Sequence, residues 1–238
     1  MSVIHWTKEK KVAVITMDDG ENRHNPAFVE RMLNVMDEIE SDEAISAVVL
    51  RGGGGKYWSL GIDIEWITQV LSTGNNQEVR DFLYGLNRLS ARILTFPLPV
   101  IAALNGHAFG DGAMLALACD FRLMKADKGY FCFPEVDINI PFMPSMLEII
   151  RKVIPPYLME EMILSGKRMN AFELAQHHII FKVCADEDEL MRESLAYAAT
   201  FNKARGIMAE HKKRLHKGIL ELMQNADPSY IEPLILMA

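Results

Sequence analysis

The chain has 238 residues, half of them hydrophobic and 24% charged, which suits one globular domain with a sizeable core and excludes the disordered and fibrous classes. Its net charge of −7 argues against nucleic acid or an anionic membrane as the main partner, because those surfaces attract an excess of Lys and Arg.

Cysteine spacing and the two termini bear on the cellular compartment. Cys119, Cys132 and Cys184 show no CxxC spacing, so the sequence predicts neither a disulfide framework nor a metal site. The N-terminal MSVIHWTKEKK lacks the apolar core of a signal peptide, no apolar run reaches the length of a membrane span, and the C-terminal LILMA is not an SKL-type address. These features predict a cytoplasmic protein.

The first hundred residues alternate between strand-like and helix-like segments. A β-branched segment at residues 11–18 precedes an amphipathic helix at residues 27–39, with Asn25 as its N-cap and Pro26 in its first turn. SAVVLRG and PVIAALNG are typical of buried strands, and EVRDFLYGLNRLSARILTF between them has helical spacing. The order β, α, β, α, β predicts an α/β fold with both faces of a sheet covered.

The second half is predicted to be mostly helical. PSMLEIIRKVI, PYLMEEMILSG, NAFELAQHHI and DELMRESLAYAATFNKA each place apolar residues on one face. Asn170 and Glu173 have the spacing of a capping box. Between Lys203 and Lys217, six basic residues stand against Glu210 alone, which predicts either a solvated helix face or a contact with a polyphosphorylated ligand.

Two glycine-containing segments each end where a helix is predicted to begin. The first is LGIDIEWI, and the second is NGHAFGDG followed by AMLALACD. Backbone N–H groups in the first turn of a helix have no intrahelical acceptor, so two such junctions facing each other can form an oxyanion hole. We expect the bare glycine backbone to let a ligand carbonyl lie directly on these N–H groups.

Three motifs in register carry a family resemblance. KYWSLGIDIEWI, PLPVIAALNGHAFGDGAMLALACDFRLM and FPEVDINIP resemble the crotonase (enoyl-CoA hydratase/isomerase) superfamily, and the chain is most similar to the plant peroxisomal enoyl-CoA isomerases. The resemblance implies an α/β, ClpP/crotonase-like spiral of ββα turns over residues 1–190. It also implies a C-terminal helical trimerisation region over residues 191–238, and a homotrimer or a hexamer made of two trimers.

The same resemblance assigns the chemistry by position. It implies that the N–H groups of Ile62 and Asp111 form the oxyanion hole and that Glu135 is the catalytic carboxylate. Met114 stands where hydratases of the family have a second carboxylate, and a thioether cannot activate water. The family usually has a small residue at Asp111, so its carboxylate must point away or be protonated, and interaction with the helix dipole is its alternative role.

Further residues are implied to contact the acyl-CoA. GENRHNPAF resembles the substrate-entrance segment of the family, which places His24 and Asn25 near the CoA chain. The CoA phosphates make Lys212 and Lys217 candidate contacts, with a solvated helix as the open alternative. The other residues assigned to substrate or CoA binding are Lys56, Ser59, Gly61, Asp63 and Gly110, of which Asp63 has a helix cap as its alternative role.

One carboxylate with an oxyanion hole fits isomerisation better than hydration. We expect the protein to shift a double bond from position 3 to position 2 of an enoyl-CoA in fatty-acid oxidation, without a cofactor, because the acyl-CoA is itself the substrate. The alternatives are hydrolysis or decarboxylation of an acyl-CoA with participation of Asp111, and a module that binds CoA thioesters without turnover.

Overall fold

The secondary structure is taken from a computed structural model that describes residues 3–235. The strands are β1 (Ile4–Glu9), β2 (Val12–Met17), β3 (Arg23–His24), β4 (Ala47–Gly52), β5 (Tyr57–Ser59), β6 (Gly61–Ile62), β7 (Val100–Leu104), β8 (His107–Phe109), β9 (Phe121–Lys125), β10 (Phe131–Cys132) and β11 (Lys182–Cys184). The helices are α1 (Pro26–Ser41), α2 (Ile64–Ser72), α3 (Asn76–Leu94), α4 (Asp111–Ala118), α5 (Pro144–Arg151), α6 (Pro156–Ser165), α7 (Ala171–Gln176), α8 (Glu187–Ala198), α9 (Arg205–Leu215), α10 (Lys217–Asn225) and α11 (Pro228–Ile231), and a 3-10 helix covers Pro134–Ile138.

The strands form one large sheet and two small ones. The large sheet has six strands in the order β1-β2-β4-β7-β9-β11, in which only β1 and β2 pair antiparallel. Each of β2, β7 and β9 is followed by one short strand outside this sheet, and β4 is followed by two, before the chain enters a helix, which after β10 is the 3-10 helix. The short strands form the sheet β10-β8-β5 and the pair β3-β6. This succession of ββα turns confirms the predicted α/β fold.

Alternate residues of the large sheet face two different cores, as the two-residue period of a strand requires. Ile15 and Leu50 face the main core, where α1 and α3 pack. Val14 and Val49 face a second core that Leu190 of α8 helps to close. Both faces of the sheet are therefore covered, as the order of the elements predicts.

Local signals in the sequence place the helix starts correctly. Asn25 caps α1 by accepting a hydrogen bond from the N–H of Phe28 at 3.0 Å, and Pro26 begins the helix. Asn170 and Glu173 form the predicted capping box at the start of α7. These caps satisfy backbone N–H groups that a first helical turn otherwise leaves without acceptors.

The last part of the chain is helical. The predicted boundary between residues 190 and 191 falls inside α8, which packs against the large sheet, and α9, α10 and α11 follow it. The three cysteines are buried free thiols. No helix within residues 3–235 is long and apolar enough to cross a membrane. The trimer or hexamer stays a prediction.

Candidate active site

A narrow apolar cavity of about 80 Å³ lies where the two predicted helix junctions meet. The helix α2 contributes Ile64, Ile67 and Leu71 to its lining, and the chain after the 3-10 helix contributes residues 140–143. The polar groups in the lining are few, and Asp111 and Glu135 are its carboxylates within the described residues. A cavity of this character favours an apolar ligand with a reactive polar group at one end.

Gly61 brings the two junctions into direct contact. Its φ is +76°, and a Cβ built on it would lie 2.7 Å from the N of Asp111 and 2.8 Å from the carbonyl oxygen of Phe109. Ile62, which follows Gly61, and Asp111, which begins α4, both line the cavity. The N–H of Asp111 lies in the first turn of α4, where it has no intrahelical acceptor.

Two of the three glycines of the NGHAFGDG turn allow close contact with the backbone of a neighbouring strand. A Cβ on Gly106 would lie 2.4 Å from the carbonyl oxygen of Lys56, and one on Gly112 would lie 2.4 Å from that of Ser59. Both glycines therefore let β8 and α4 approach the backbone of β5. Of the three, Gly110 is the one beside a candidate catalytic group, because its built Cβ lies 3.2 Å from Oε1 of Glu135.

Glu135 lies in the 3-10 helix that follows β10, with its carboxylate at the cavity. Its Oε2 is buried and has no hydrogen-bond partner. The pKa of Glu135 is raised from its ordinary 4.5 to about 8. Burial is the main cause, a hydrogen bond with its own backbone acts in the opposite direction, and the nearby carboxylate of Asp111 makes a smaller contribution to the increase. A carboxyl group with such a pKa can both take and return a proton near neutral pH.

Met114 is buried in α4, one turn after Asp111, and also lines the cavity. Its thioether occupies the helix position where the sequence comparison expects the second carboxylate of a hydratase. It cannot accept a proton from water. Glu135 is therefore the carboxylate of the described cavity lining that has a buried oxygen without a hydrogen-bond partner.

The carboxylate of Asp111 points toward His24. Nδ1 of His24 lies 2.6 Å from Oδ2 of Asp111, and Nε2 lies 2.9 Å from Oγ of Ser59. His24 and Ser59 are both fully buried. The expectation that His24 contacts the CoA chain and Ser59 the ligand is therefore replaced, because both side chains lie outside the lining of the cavity and form hydrogen bonds to Asp111 and Gly61.

Comparison with known proteins identifies the family of the chain. A sequence model described as enoyl-CoA hydratase/isomerase matches residues 7–232. The chain belongs to this family. It is 30% identical over 173 residues to enoyl-CoA delta isomerase 2, peroxisomal, of Arabidopsis thaliana, with 72% of each chain covered. It is 28% identical over 236 residues to carnitinyl-CoA dehydratase of Escherichia coli O157:H7, with 98% of this chain and 87% of the other covered.

Solved structures of the enoyl-CoA hydratase/isomerase family share the fold. A family protein from Pseudomonas syringae superposes with a TM-score of 0.87 at 22% identity, over 97% of each chain. An enoyl-CoA hydratase from Bacillus halodurans gives a TM-score of 0.87 at 23% identity, over 98% of this chain and 94% of the other. These likenesses confirm the crotonase fold that the sequence motifs predict.

Two other residues that were predicted to contact the acyl-CoA cap helices. Asn25 caps α1, and Asp63 caps α2 by accepting a hydrogen bond from the N–H of Trp66 at 3.1 Å. Capping was the alternative role for Asp63. Because Asp63 directly follows Ile62, the cap fixes the start of α2 next to the predicted oxyanion amide.

The three lysines that we predicted to bind CoA lie in different environments. Lys56 precedes β5 and lines a separate open cavity with His107 and Lys128, at the opposite end of the small sheet. Lys217 is exposed on α10, 3.5 Å from Glu221. Lys212 is buried, and its Nζ lies 2.7 Å from Asp120 and 3.4 Å from the carbonyl oxygen of Leu98. This burial removes Lys212 from the candidate CoA contacts.

Lys212→Met is expected to lower the free energy of unfolding by about 3 kcal/mol, because it leaves the carboxylate of Asp120 without its buried cation. Urea denaturation at a fixed protein concentration measures this loss. Lys213→Met is the matched control, since Lys213 is exposed on the same helix. Equal stability of the two variants would contradict a structural role for Lys212.

Sequence reasoning missed the C-terminal part of the cavity lining. Tyr230, Ile231 and Ile235 all line the cavity, and no local motif marks them. Phe142 and Met143 also line the cavity, whereas Trp58 is fully buried in the core. Trp66 and Phe82 pack edge to face, 5.0 Å between ring centroids.

Asp227 holds this C-terminal segment in place. Its buried carboxylate accepts hydrogen bonds from Nδ2 of Asn87 at 2.8 Å and from the hydroxyl and N–H of Ser145 at 2.5 and 3.1 Å. These bonds join α3 and α5 to the residue that precedes α11. The carboxylate therefore sets the position of Tyr230 and Ile231 at the cavity.

Proposed function

We propose that the protein is an enoyl-CoA isomerase that moves a double bond from position 3 to position 2 of an acyl-CoA thioester. The observation that carries this proposal is the buried, unpartnered Oε2 of Glu135 in an apolar cavity where Met114 replaces a second carboxylate. The similarity to a plant enoyl-CoA delta isomerase supports the same reaction.

The proposed reaction uses one base. The thioester oxygen accepts hydrogen bonds from the N–H groups of Ile62 and Asp111, which stabilise negative charge on that oxygen. The Glu135 carboxylate takes a proton from C2, and the electron pair moves through the carbonyl to give a dienolate. The protonated Glu135 returns the proton to C4 as the double bond forms between C2 and C3. No water is consumed, and the enzyme ends in its starting state.

Addition or removal of water is the second candidate. The similarity to carnitinyl-CoA dehydratase covers almost the whole chain, and Asp111 is another carboxylate at the cavity. The carboxylate of Asp111 is already bonded to His24 at 2.6 Å, which leaves it less able to activate water than a free carboxylate. The isomerase is therefore our first choice.

Incubation of the purified protein with 3-hexenoyl-CoA tests the proposal. An isomerase gives a conjugated 2-enoyl thioester of unchanged mass, which absorbance and mass spectrometry detect together. A substrate deuterated at C2 is expected to yield product with part of the label at C4, because one carboxyl group carries the proton. Added water, free CoA or binding without conversion would each replace the isomerase by one of the alternatives. Decarboxylation is tested separately with methylmalonyl-CoA, because 3-hexenoyl-CoA has no free carboxyl group to lose.

A further inference from the structure

A buried hydrogen-bonded chain runs from the cavity into the protein. It begins at Asp111, which lines the cavity, and passes through His24 to Ser59 with distances of 2.6 and 2.9 Å. The hydroxyl of Ser59 then donates to the carbonyl oxygen of Asn22 at 2.8 Å. The order Asp, His, Ser is that of a hydrolase triad.

Ser59 is in the wrong place for a nucleophile. It is fully buried and lies outside the cavity lining. Its Oγ accepts a hydrogen bond from the N–H of Gly61 at 3.1 Å, which ties it to the turn that precedes Ile62. A nucleophilic serine must reach the thioester carbon, and Ser59 instead supports the backbone of the predicted oxyanion hole.

Hydrogen positions in this chain follow from the partners of Ser59. A carbonyl oxygen can only accept, so the single hydroxyl hydrogen of Ser59 lies toward Asn22. Gly61 N–H and Nε2 of His24 then both donate to Oγ, which assigns a hydrogen to Nε2. The 2.6 Å contact between Nδ1 and Asp111 requires another hydrogen between those two atoms. The pair of His24 and Asp111 therefore holds one proton more than a neutral imidazole beside a carboxylate.

We propose that His24 is a positioning residue whose doubly protonated ring neutralises the carboxylate of Asp111 and holds it away from the developing oxyanion. This inference rests on the proposed function, in which the N–H of the same Asp111 binds that oxyanion. An unpaired carboxylate a few ångströms from the thioester oxygen would oppose the charge that forms there. With His24 beside it, Asp111 can carry a charged side chain although its backbone N–H binds the oxyanion.

The ring of His24 packs against an aromatic side chain. Its ring stacks on Phe28 with 4.2 Å between centroids, and an aromatic face stabilises a positive charge. The other carboxyl group in the lining of the cavity within the described residues is that of Glu135. The ion pair of His24 and Asp111 adds no net charge to the cavity.

Nitrogen NMR of the wild-type protein tests the ionisation state without any enzyme assay. The chain has seven histidines, and the signals of His24 are assigned by their loss in His24→Phe. We expect both ring nitrogens of His24 to resonate as protonated nitrogens at neutral pH. One protonated and one unprotonated nitrogen would mean that the ring is neutral, and would overturn the proposal.

A double-mutant cycle tests the electrostatic role. His24→Phe is expected to lower kcat on the order of 100-fold with a smaller change in KM, because it leaves the Asp111 carboxylate unpaired. Asp111→Asn introduced into that variant removes the charge and is expected to restore kcat roughly tenfold or more. A double variant no more active than His24→Phe would overturn the proposal. His107→Phe is the control for losing a histidine elsewhere.

Failure of this inference can be told apart from failure of the proposed function. If the wild-type protein converts no 3-enoyl thioester, the isomerase proposal fails by itself. The role of His24 is then tested by the NMR spectrum and by the binding of acetoacetyl-CoA. The enolate form of acetoacetyl-CoA absorbs light, so its absorbance reports how well the protein stabilises a thioester oxyanion without turnover. We expect a smaller fraction of the bound acetoacetyl-CoA to be enolate in His24→Phe than in the double variant that carries both His24→Phe and Asp111→Asn. Equal fractions would overturn the role of His24.

Discussion

Glu135→Gln is expected to lower kcat for the conversion of 3-enoyl-CoA to 2-enoyl-CoA by roughly 10³- to 10⁴-fold. The glutamine amide has nearly the same size as the carboxyl group but cannot take a proton from C2 or return one to C4. Because the cavity lining is otherwise unchanged, KM is expected to change far less than kcat. Steady-state kinetics with 3-hexenoyl-CoA, followed by the absorbance of the conjugated product, measure both constants.

Asp137→Asn is the matched control for this variant. Asp137 lies in the same 3-10 helix, but it is exposed and lies outside the cavity lining. Its amide variant is expected to retain the activity of the wild-type protein. If Glu135→Gln keeps about a tenth of the activity or more, another group transfers the proton and the one-base reaction is wrong.

The pH dependence of kcat/KM provides a second test of the same carboxylate. Glu135 acts as a base only when ionised, and burial raises its pKa to about 8. Activity is therefore expected to rise with pH through about 8 and to level off above it, since the ionised fraction falls about tenfold per pH unit below the pKa. A profile that stays flat well below neutral pH would contradict a raised pKa as the controlling ionisation.

The fold and the cavity could be predicted because their signals are local. The apolar face of α1, the caps at Asn25 and Asn170 and the buried strands each follow from residues close together in the sequence. The two glycine junctions are also local patterns, so the sequence indicates that one helix begins shortly after Ile62 and another begins at Asp111. Family resemblance then supplies Glu135, which composition and spacing alone would leave as a loop carboxylate.

The remaining features depend on contacts between distant parts of the chain. His24 meets Asp111 across 87 positions of sequence, because the parallel pairing of β3 with β6 places His24 beside Ile62. Lys212 can be buried because its ammonium group donates a hydrogen bond to Asp120, which lies 92 positions away in the sequence. A lysine in a basic segment and a histidine in a polar one carry no local sign of these partners, so the sequence indicates exposed or ligand-contacting roles for both.

Gly61→Ala is expected to lower kcat on the order of 100-fold, because it forces the two halves of the predicted oxyanion hole apart. The added Cβ would lie 2.7 Å from the N of Asp111 and 2.8 Å from the carbonyl oxygen of Phe109, and both are backbone atoms that no side-chain rotation can move away. The backbone of α4 or of β6 must therefore shift. That shift changes the distance between the N–H groups of Ile62 and Asp111, on which stabilisation of the thioester oxygen depends.

Gly74→Ala separates this effect from backbone strain. Gly74 has a φ of +77°, close to the +76° of Gly61, but a Cβ there meets nothing within 4 Å. Both variants are expected to lose about 1 kcal/mol of stability from the left-handed backbone, with a larger loss at Gly61 from the clash. Only Gly61→Ala should lose activity. If both variants keep wild-type kcat at a temperature where they are folded, close contact between the two junctions is not what stabilises the charge on the thioester oxygen.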